Sequence, residues 1–204
     1  FYISLCKIEN RDMGNVNNIK LIKYPTHSAQ LHHRDDEDYT NFVVALIKKL
    51  FGIVPAVYHR EVRSVRTVTI SSRAFVVFCN QDFNFQIGNK MRQRIDIPNW
   101  IKRDQKFSLA CMRGLFDTDG SVVIHRYWVG GKRYSYKKLE FCSMSTPLRK
   151  SAYDILSNLG MHPRIAREKS VWLDSKSKVE TYFKSVGTHN LKHWKRYKTV
   201  LESP

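Results

Sequence analysis

Hydrophobic positions along the chain recur at helical spacing in two matching places. The spacing predicts one amphipathic helix from Asp38 to Leu50 and another from Pro147 to Leu159. Each helix runs into a glycine, Gly52 or Gly160, which is typical of a helix C-terminus. The two places therefore look like copies of one supersecondary unit.

Strand-like stretches flank both helices. Short runs of apolar and β-branched residues, broken by turn residues, indicate antiparallel pairs. Gly130-Gly131 is the strongest turn signal among them, and another turn is predicted near Pro25. The predicted strand pairs cover Asn17–His33, Val57–Ser71, Ser121–Cys142 and Arg164–Asp174, and further helices cover Ser72–Asn80 and Lys176–Val186.

An internal duplication organises these elements. Gly52 and Pro55 recur at a constant separation of 108 residues as Gly160 and Pro163. We therefore expect an α+β protein of two pseudo-symmetric αββαββα lobes with antiparallel sheets. The expected boundaries are residues 1–86 for the first lobe, 87–103 for a connector and 104–204 for the second lobe.

The composition of the chain limits the classes of function that are possible. Thirty-five Lys and Arg against 18 Asp and Glu give a net charge of +17, which favours nucleic acid as partner over its main rival, a membrane surface. A hydrophobic fraction of 42% excludes a disordered basic tail, and no apolar run is long enough to span a bilayer. No signal peptide is evident, and because Phe1 is not a start methionine, sequence upstream of it is left open.

The cysteines point to a reducing compartment. Cys6, Cys79, Cys111 and Cys142 lie far apart in apolar surroundings and form no C-x-x-C pair. We expect small core residues rather than a zinc site or a disulfide framework. The predicted location is intracellular, either cytoplasmic or organellar.

The segment Phe107–Val123 carries the most specific chemistry. Asp104 is placed to cap a strongly apolar helix that stops at Asp117-Thr118-Asp119-Gly120, where a β-branched strand begins. Carboxylates at a helix C-terminus oppose the helix dipole by about 0.3–1 kcal/mol each. A cation beside them, with the oxygen ligands that Mg²⁺ prefers, would explain their presence.

This segment closely resembles the second motif of the LAGLIDADG homing endonucleases. Residues 88–101 are similar to the connector of that family, and residues 188–197 are similar to the start of its C-terminal helix. The resemblance implies two motif helices packed at a pseudo-two-fold, with antiparallel saddle sheets over the DNA. It implies that Asp119 binds metal with Gly120 beside it, and that Asp117 is mainly structural or indirect in its effect.

The first copy of the motif is poorly preserved. Counting back along the repeat from Asp119 leads to Asp12, where Ile3, Leu5 and Ile8 could line a helix. Lys7, however, stands where the second copy has Gly114. The first motif is therefore decayed, upstream of Phe1 or in an omitted segment, and a surface acid in a loop is an equal interpretation of Asp12.

The resemblance implies a metal-dependent break in double-stranded DNA. Asp119 and a first-lobe acid, for which Asp12 is the candidate, would hold Mg²⁺ at the scissile phosphates. A basic residue usually assists, and Lys192 is the candidate, with Lys195 and Arg196 as rivals. A two-lobed monomer is expected, with a homodimer as the other possibility.

Basic and aromatic residues interleave on the predicted strands, as expected of a ribbon in the major groove. Alternation along each strand would place one set on the core helices and the other on the DNA. The predicted DNA-binding residues are Lys20, Lys23, Gln30, His59, Arg60, Arg63, Arg66, His125, Arg126, Tyr127, Lys132, Arg133, Tyr136, Lys137, Arg164, Arg167 and Lys169.

Three other interpretations stay open at this stage. A cleavage-deficient relative would act as an RNA-binding intron maturase or as a DNA-binding regulator, and the damaged first motif favours both. His189-Asn190 is a dipeptide that ends many inteins, but Leu191 follows it and neither end shows a splicing nucleophile. A splicing domain within this chain is therefore disfavoured.

Overall fold

The computed structural model describes residues 2–7, 27–34, 36–60, 65–86 and 94–201. The chain divides into two compact units, Tyr2–Gln93 and Arg94–Pro204, and the division falls inside the predicted connector of residues 87–103. Each unit is built on a four-stranded antiparallel sheet, which confirms the predicted α+β class. None of the described helices is long and apolar enough to cross a bilayer.

The sheet of the first unit packs its apolar face against helices. Its strand order is β1-β2-β4-β3. Val68 and Ile70 are almost inaccessible, as are Val43 of the first helix and Val76 of the second. The elements are β1 (Tyr2–Lys7), β2 (His27–Arg34), α1 (Glu37–Phe51), β3 (Ala56–Arg60), β4 (Val65–Ile70) and α2 (Arg73–Phe83).

The second unit repeats this topology as β5-β6-β8-β7. Val122, Leu139 and Val171 lie on the buried face of the sheet, and Met112 and Phe116 belong to the same core. The elements are α3 (Asn99–Arg103), α4 (Gln105–Asp119), β5 (Gly120–Val129), β6 (Lys132–Cys142), α5 (Thr146–Asn158), β7 (Arg164–Ala166), β8 (Ser170–Leu173), α6 (Lys176–Ser185) and α7 (Leu191–Lys198).

Local capping explains where the helices begin and end. The Asp104 side chain accepts a hydrogen bond from the Phe107 amide at 3.0 Å and starts α4 as predicted. At the C-terminus of α1, Gly52 adopts a left-handed φ of 66°, and its amide donates a hydrogen bond to the Lys48 carbonyl. The predicted amphipathic helices are therefore confirmed within one or two residues as α1 and α5.

The predicted helix near the start of the chain is wrong. Tyr2–Lys7 forms a strand that pairs with β2 on one side, and β4 pairs with β2 on the other side. Ile3 and Leu5 are two residues apart, which is the strand period, and a run this short does not distinguish a strand from a helix. The predicted turn near Pro25 lies outside the described residues.

Topology also bears on the first-lobe acid. The edge strand β1 has the place that β5 has in the second sheet, and Asp119 directly precedes β5. By this topology, a counterpart of Asp119 would come immediately before β1 in the chain. Asp12 comes after β1 in the chain and lies outside the described residues, so its role stays a prediction.

The cysteines differ in their burial. Cys79 is buried and Cys111 is half-buried, as expected of core residues, but Cys142 is exposed. The expectation of a core residue is wrong for Cys142 because strand alternation turns it away from the buried neighbour Phe141. Burial raises the pKa of both the Cys79 and the Cys111 thiol to about 11, which keeps them protonated.

Candidate active site

Helix α4 passes into β5 without an intervening loop. Asp119 is the last helical residue, and Gly120 is the first residue of the strand. The Gly120 amide donates to the Phe116 carbonyl, and Gly120 also pairs with Phe141 of β6. The junction places the half-buried Asp119 side chain where the negative end of a helix meets the sheet.

Glycine is required at the junction because there is no room for a side chain, not because the backbone conformation demands it. A Cβ at residue 120 would overlap the Phe116 ring and lie 2.5 Å from the Phe116 carbonyl oxygen. The φ of −97° is one that any residue adopts. A side chain at this position would therefore have to displace Phe116 or the backbone of the junction.

Gly120→Ala should lower the free energy of unfolding by about 1–3 kcal/mol, because the methyl group overpacks the junction. Chemical denaturation would measure the loss. Gly114→Ala is the matched control, since a Cβ there meets nothing within 4 Å and alanine favours a helix by about 1 kcal/mol. Equal stability of Gly120→Ala and wild type would contradict the packing argument.

Asp117 lies inside the unit and ties α4 to the start of α7. Its carboxylate accepts hydrogen bonds from the Thr188 hydroxyl and, at 2.9 Å, from the His189 amide. The Asn190 side-chain amide donates to the Asp117 carbonyl at 3.1 Å. With its side chain 1% exposed, Asp117 is inaccessible to a ligand in solvent and acts through the residues that it holds.

Burial controls the protonation of Asp117. Desolvation raises the pKa of the carboxyl above its ordinary value, although the hydrogen bonds from Thr188 and His189 lower it. The His189 Nδ1 lies 3.7 Å from the carboxylate and adds a favourable charge only when the imidazole is protonated. The hydrogen bonds therefore offset only part of the cost of burying this group.

The contacts of Asp117 with the start of α7 also bear on the position of Lys192, the predicted basic residue. Asn190 caps α7, and its side-chain oxygen accepts a hydrogen bond from the Lys192 amide at 3.0 Å. Lys192 is exposed on the first turn of this helix, so it lies at the end of α7 that Asp117 anchors. The contacts of Asp117 thus join the end of α4, which carries Asp119, to the start of α7, which carries Lys192.

Strand alternation gives the second sheet a face opposite to its buried one, which we call the open face. His125, Tyr127 and Tyr136 lie on it, out of phase with the buried Val122 and Leu139. The ring centroids of His125 and Tyr136 are 5.1 Å apart, and those of His125 and Tyr127 are 5.9 Å apart. Aromatic packing therefore covers the middle of the ribbon formed by β5 and β6.

Four more predicted residues lie on this face or at its borders. Lys132 is exposed at the start of β6, and Arg167 and Lys169 are exposed in the turn between β7 and β8. Arg164 of β7 pairs with Trp172, which in turn pairs with Glu140 across the open face. Aromatic and cationic side chains are therefore combined on one surface.

Two predicted contacts belong to the helix side instead. Lys137 donates to the Tyr197 carbonyl and lies 5.4 Å from the Tyr197 ring, and burial lowers the pKa of its ammonium group. Arg66 shares the face of the buried Val68 and pairs with Glu37 of α1 at 3.3 Å. Each is in phase with a core residue and therefore lies on the helix side of its sheet, and its contact with DNA stays a prediction.

The remaining predicted residues divide into three groups. Arg126, Arg133 and His59 are exposed, but alternation places them on the helix side of their sheets. Gln30 pairs with Ser4 and Thr69, and Arg60 pairs with Val65, by their backbones. Lys20, Lys23 and Arg63 lie outside the described residues.

Residues 106–193 match the family model described as a LAGLIDADG-like domain. The second unit therefore contains a LAGLIDADG-like domain. The matched segment runs from the start of α4 to the first turn of α7, so it contains Asp119, Asp117 and the residues that hydrogen-bond to Asp117. A comparison with curated proteins found no match.

Solved structures share the LAGLIDADG fold at low sequence identity. A variant of I-DmoI, in complex with its target DNA in the presence of 2 mM Mg, has a TM-score of 0.56 and 8% identity, with 90% of this chain and 86% of that chain covered. Meganuclease I-SmaMI bound to uncleaveable DNA has a TM-score of 0.56 and 11% identity, over 96% and 83%. Full-length DUF199/WhiA from Thermatoga maritima has a TM-score of 0.51 and 11% identity, over 86% and 55%.

The LAGLIDADG site offers a limited set of metal ligands. No three His, Cys, Asp or Glu side chains come together within the described part of the chain. Asp119 supplies carboxylate oxygens beside a helix end, which suits Mg²⁺, an ion that commonly takes one or two carboxylates and fills its other positions with water and phosphate oxygens. The donor chemistry therefore fits Mg²⁺ held by Asp119, with Gly120 as the adjacent backbone group.

Two features of this LAGLIDADG domain are missing from the sequence predictions. The contact of Thr188 and Asn190 with Asp117 joins residues 71 and 73 positions apart, although a Thr-x-Asn pattern before a helix is a recognisable capping signal. Asp174 forms ion pairs with Lys138 and Arg164 on the open face. Only the sheet register reveals that these three side chains meet.

Proposed function

We propose that this protein, whose second unit contains a LAGLIDADG-like domain, is a site-specific homing endonuclease that makes a metal-dependent double-strand break in a long DNA target. The main support for this proposal is the position of Asp119. It is a half-buried acid at the junction of α4 with a sheet whose open face is cationic and aromatic. The I-DmoI and I-SmaMI structures of the same fold are bound to DNA, which supports this assignment.

The chain's own groups have distinct tasks in this function. Mg²⁺, when bound, supplies charge neutralisation at the phosphate and a more acidic water. Asp119 holds the ion at the helix end, and Asp117 fixes that end against α7 through Thr188 and His189. Lys192, on the turn anchored in this way, offers a positive charge to the scissile phosphate, where charge develops.

A duplex pool of random sequence tests the activity because it contains candidate targets of every composition. The protein is incubated with the pool and Mg²⁺, and the DNA ends that form are captured and sequenced. We expect one family of sites with matched breaks in both strands, and no breaks with EDTA in place of Mg²⁺. Absence of enriched ends at every Mg²⁺ concentration would reject the nuclease function.

Binding to DNA should depend steeply on salt. Contacts with Z phosphates release counterions, so log K falls with log salt with a slope of about −0.9Z. Several cations line the second sheet, and we therefore expect affinity for a duplex to fall by roughly 10²-fold or more between 50 and 200 mM salt. Fluorescence anisotropy with a labelled duplex measures the slope, and a flat response would contradict a phosphate-binding surface.

Binding without cleavage is the second candidate function. Asp12, the candidate first-lobe acid, follows β1 in the chain, whereas Asp119 precedes β5, which favours a cleavage-deficient RNA-binding maturase or DNA-binding regulator. A competition experiment between duplex DNA and structured RNA for binding to the protein distinguishes the RNA-binding maturase from the DNA-binding regulator. If the protein preferred RNA and made no Mg²⁺-dependent breaks in DNA, the nuclease function would be rejected and the maturase function supported.

A further inference from the structure

An acid occupies the centre of the cationic part of the open face. Asp174 follows β8, one position beyond the pair formed by Leu139 and Leu173, and so lies opposite Lys138. Its Oδ2 accepts from Arg164 Nε at 2.8 Å, and its Oδ1 accepts from Arg164 Nη2 at 3.3 Å. The Lys138 ammonium group lies 2.8 Å from the same Oδ1. One carboxylate therefore holds two cations from different strands.

The geometry of this cluster fixes the guanidinium group of Arg164. Contact through both Nε and Nη2 sets the plane of the group, which a single hydrogen bond would not do. Lys138 is 15% exposed and Asp174 is 33% exposed, whereas Arg164 is 54% exposed. The acid and the lysine thus lie lower on the sheet, and the edge of the guanidinium that carries Nη1 is directed away from Asp174.

An acid on a DNA-binding surface weakens binding through repulsion of phosphates, so affinity does not explain Asp174. Water would solvate both Asp174 and Arg164 if they were apart, so an ion pair that is exposed to this degree adds little stability. Orientation of Arg164 is what the bidentate contact does provide. A planar group held in one orientation suits a partner with two acceptors in a fixed geometry.

We propose that Asp174 is a positioning residue that holds Arg164 for the recognition of one guanine in the major groove. The inference rests on the proposed binding of duplex DNA. Guanine presents O6 and N7 as paired acceptors in that groove, and arginine contacts both at once. Lys138, on the other side of the carboxylate, fixes Asp174 itself and completes the arrangement.

The test is selection from a duplex pool of random sequence, with bound and unbound DNA sequenced for each variant. Wild type should enrich sites with one strongly preferred guanine. Asp174→Asn should lower that preference by about 5- to 150-fold at this base pair, while other positions keep theirs. Arg164→Ala should lower it at the same base pair, and the double variant should show no further loss, since the two residues act as one unit.

Asp154→Asn is the matched control because it removes the same charge from an exposed position on α5. It should retain the full guanine preference. Preference unchanged in Asp174→Asn, or lost equally at all positions, would overturn the inference while wild-type selection still supported the proposed function. If wild type itself enriched no sequence, the proposed function would fail together with the inference.

Discussion

Asp119→Asn should leave the fold intact and lower Mg²⁺-dependent DNA cleavage by roughly 10²–10³-fold, the range seen when one group that stabilises developing charge is removed. Asparagine has almost the same shape, but it lacks the negative charge that would hold a divalent ion at the end of α4. A time course of break formation on a selected duplex gives the rate. Thermal unfolding of the same preparation shows whether the fold is retained.

Two acids serve as controls for Asp119. Asp154→Asn removes a charge from the exposed side of α5 and should cleave as wild type does. Asp12→Asn tests the candidate first-lobe acid, which follows β1 in the chain rather than preceding it. An unchanged rate in Asp12→Asn agrees with the topology, whereas a loss equal to that of Asp119→Asn would restore Asp12 as a catalytic candidate. Full activity of Asp119→Asn would remove the proposed mechanism.

Asp117→Ala should lower the free energy of unfolding of the second unit by about 3 kcal/mol. The buried Thr188 hydroxyl and the His189 amide both lose their acceptor, and each unsatisfied donor costs about 1–3 kcal/mol. Because the start of α7 depends on these contacts, Lys192 should also lose its fixed position. Urea denaturation measures the stability, and a loss below about 0.5 kcal/mol would show that the contacts are unimportant.

Asp117→Asn separates charge from hydrogen bonding at the same position. Asparagine keeps one acceptor and carries no charge, so we expect a smaller loss of about 1 kcal/mol. Burial raises the pKa of Asp117, and its folded form therefore takes up a proton more readily than its unfolded form. Wild type should gain stability relative to Asp117→Asn as the pH falls from 7 towards that raised pKa. The opposite trend would mean that hydrogen bonds outweigh desolvation.

Much of the fold is predictable because the signals are local. The amphipathic spacing and the terminal glycines predict α1 and α5, and the pair Gly130-Gly131 predicts the turn between β5 and β6, where both residues have positive φ. The segment that ends in Asp119 combines a cap, an apolar helix and an abrupt strand. These features need only neighbouring residues, and a sequence displays neighbouring residues directly.

Other features escape prediction because they depend on phase or on distant partners. Assigning Lys137 or Arg66 to one face of a sheet requires one buried residue to set the alternation, and sequence alone does not show which residue is buried. Asp174 is separated from Lys138 by 36 positions and meets it only through the pairing of β6 with β8. The strand at Tyr2–Lys7 is too short for its period to be recognised.

The ribbon of β5 and β6 differs in mechanical support along its length. Near Val122 and Leu139 it is packed on the core, whereas Trp128 and Val129 near the turn are 69% and 57% exposed. Exposure of both faces at the outer end leaves bending there opposed mainly by the ladder of inter-strand hydrogen bonds and by the stacked rings of Tyr127 and Tyr134. The ribbon is therefore held by the core at the end that carries Asp119 and is less supported at the turn. Adjustment of the turn to a groove of varying width need not disturb the position of Asp119.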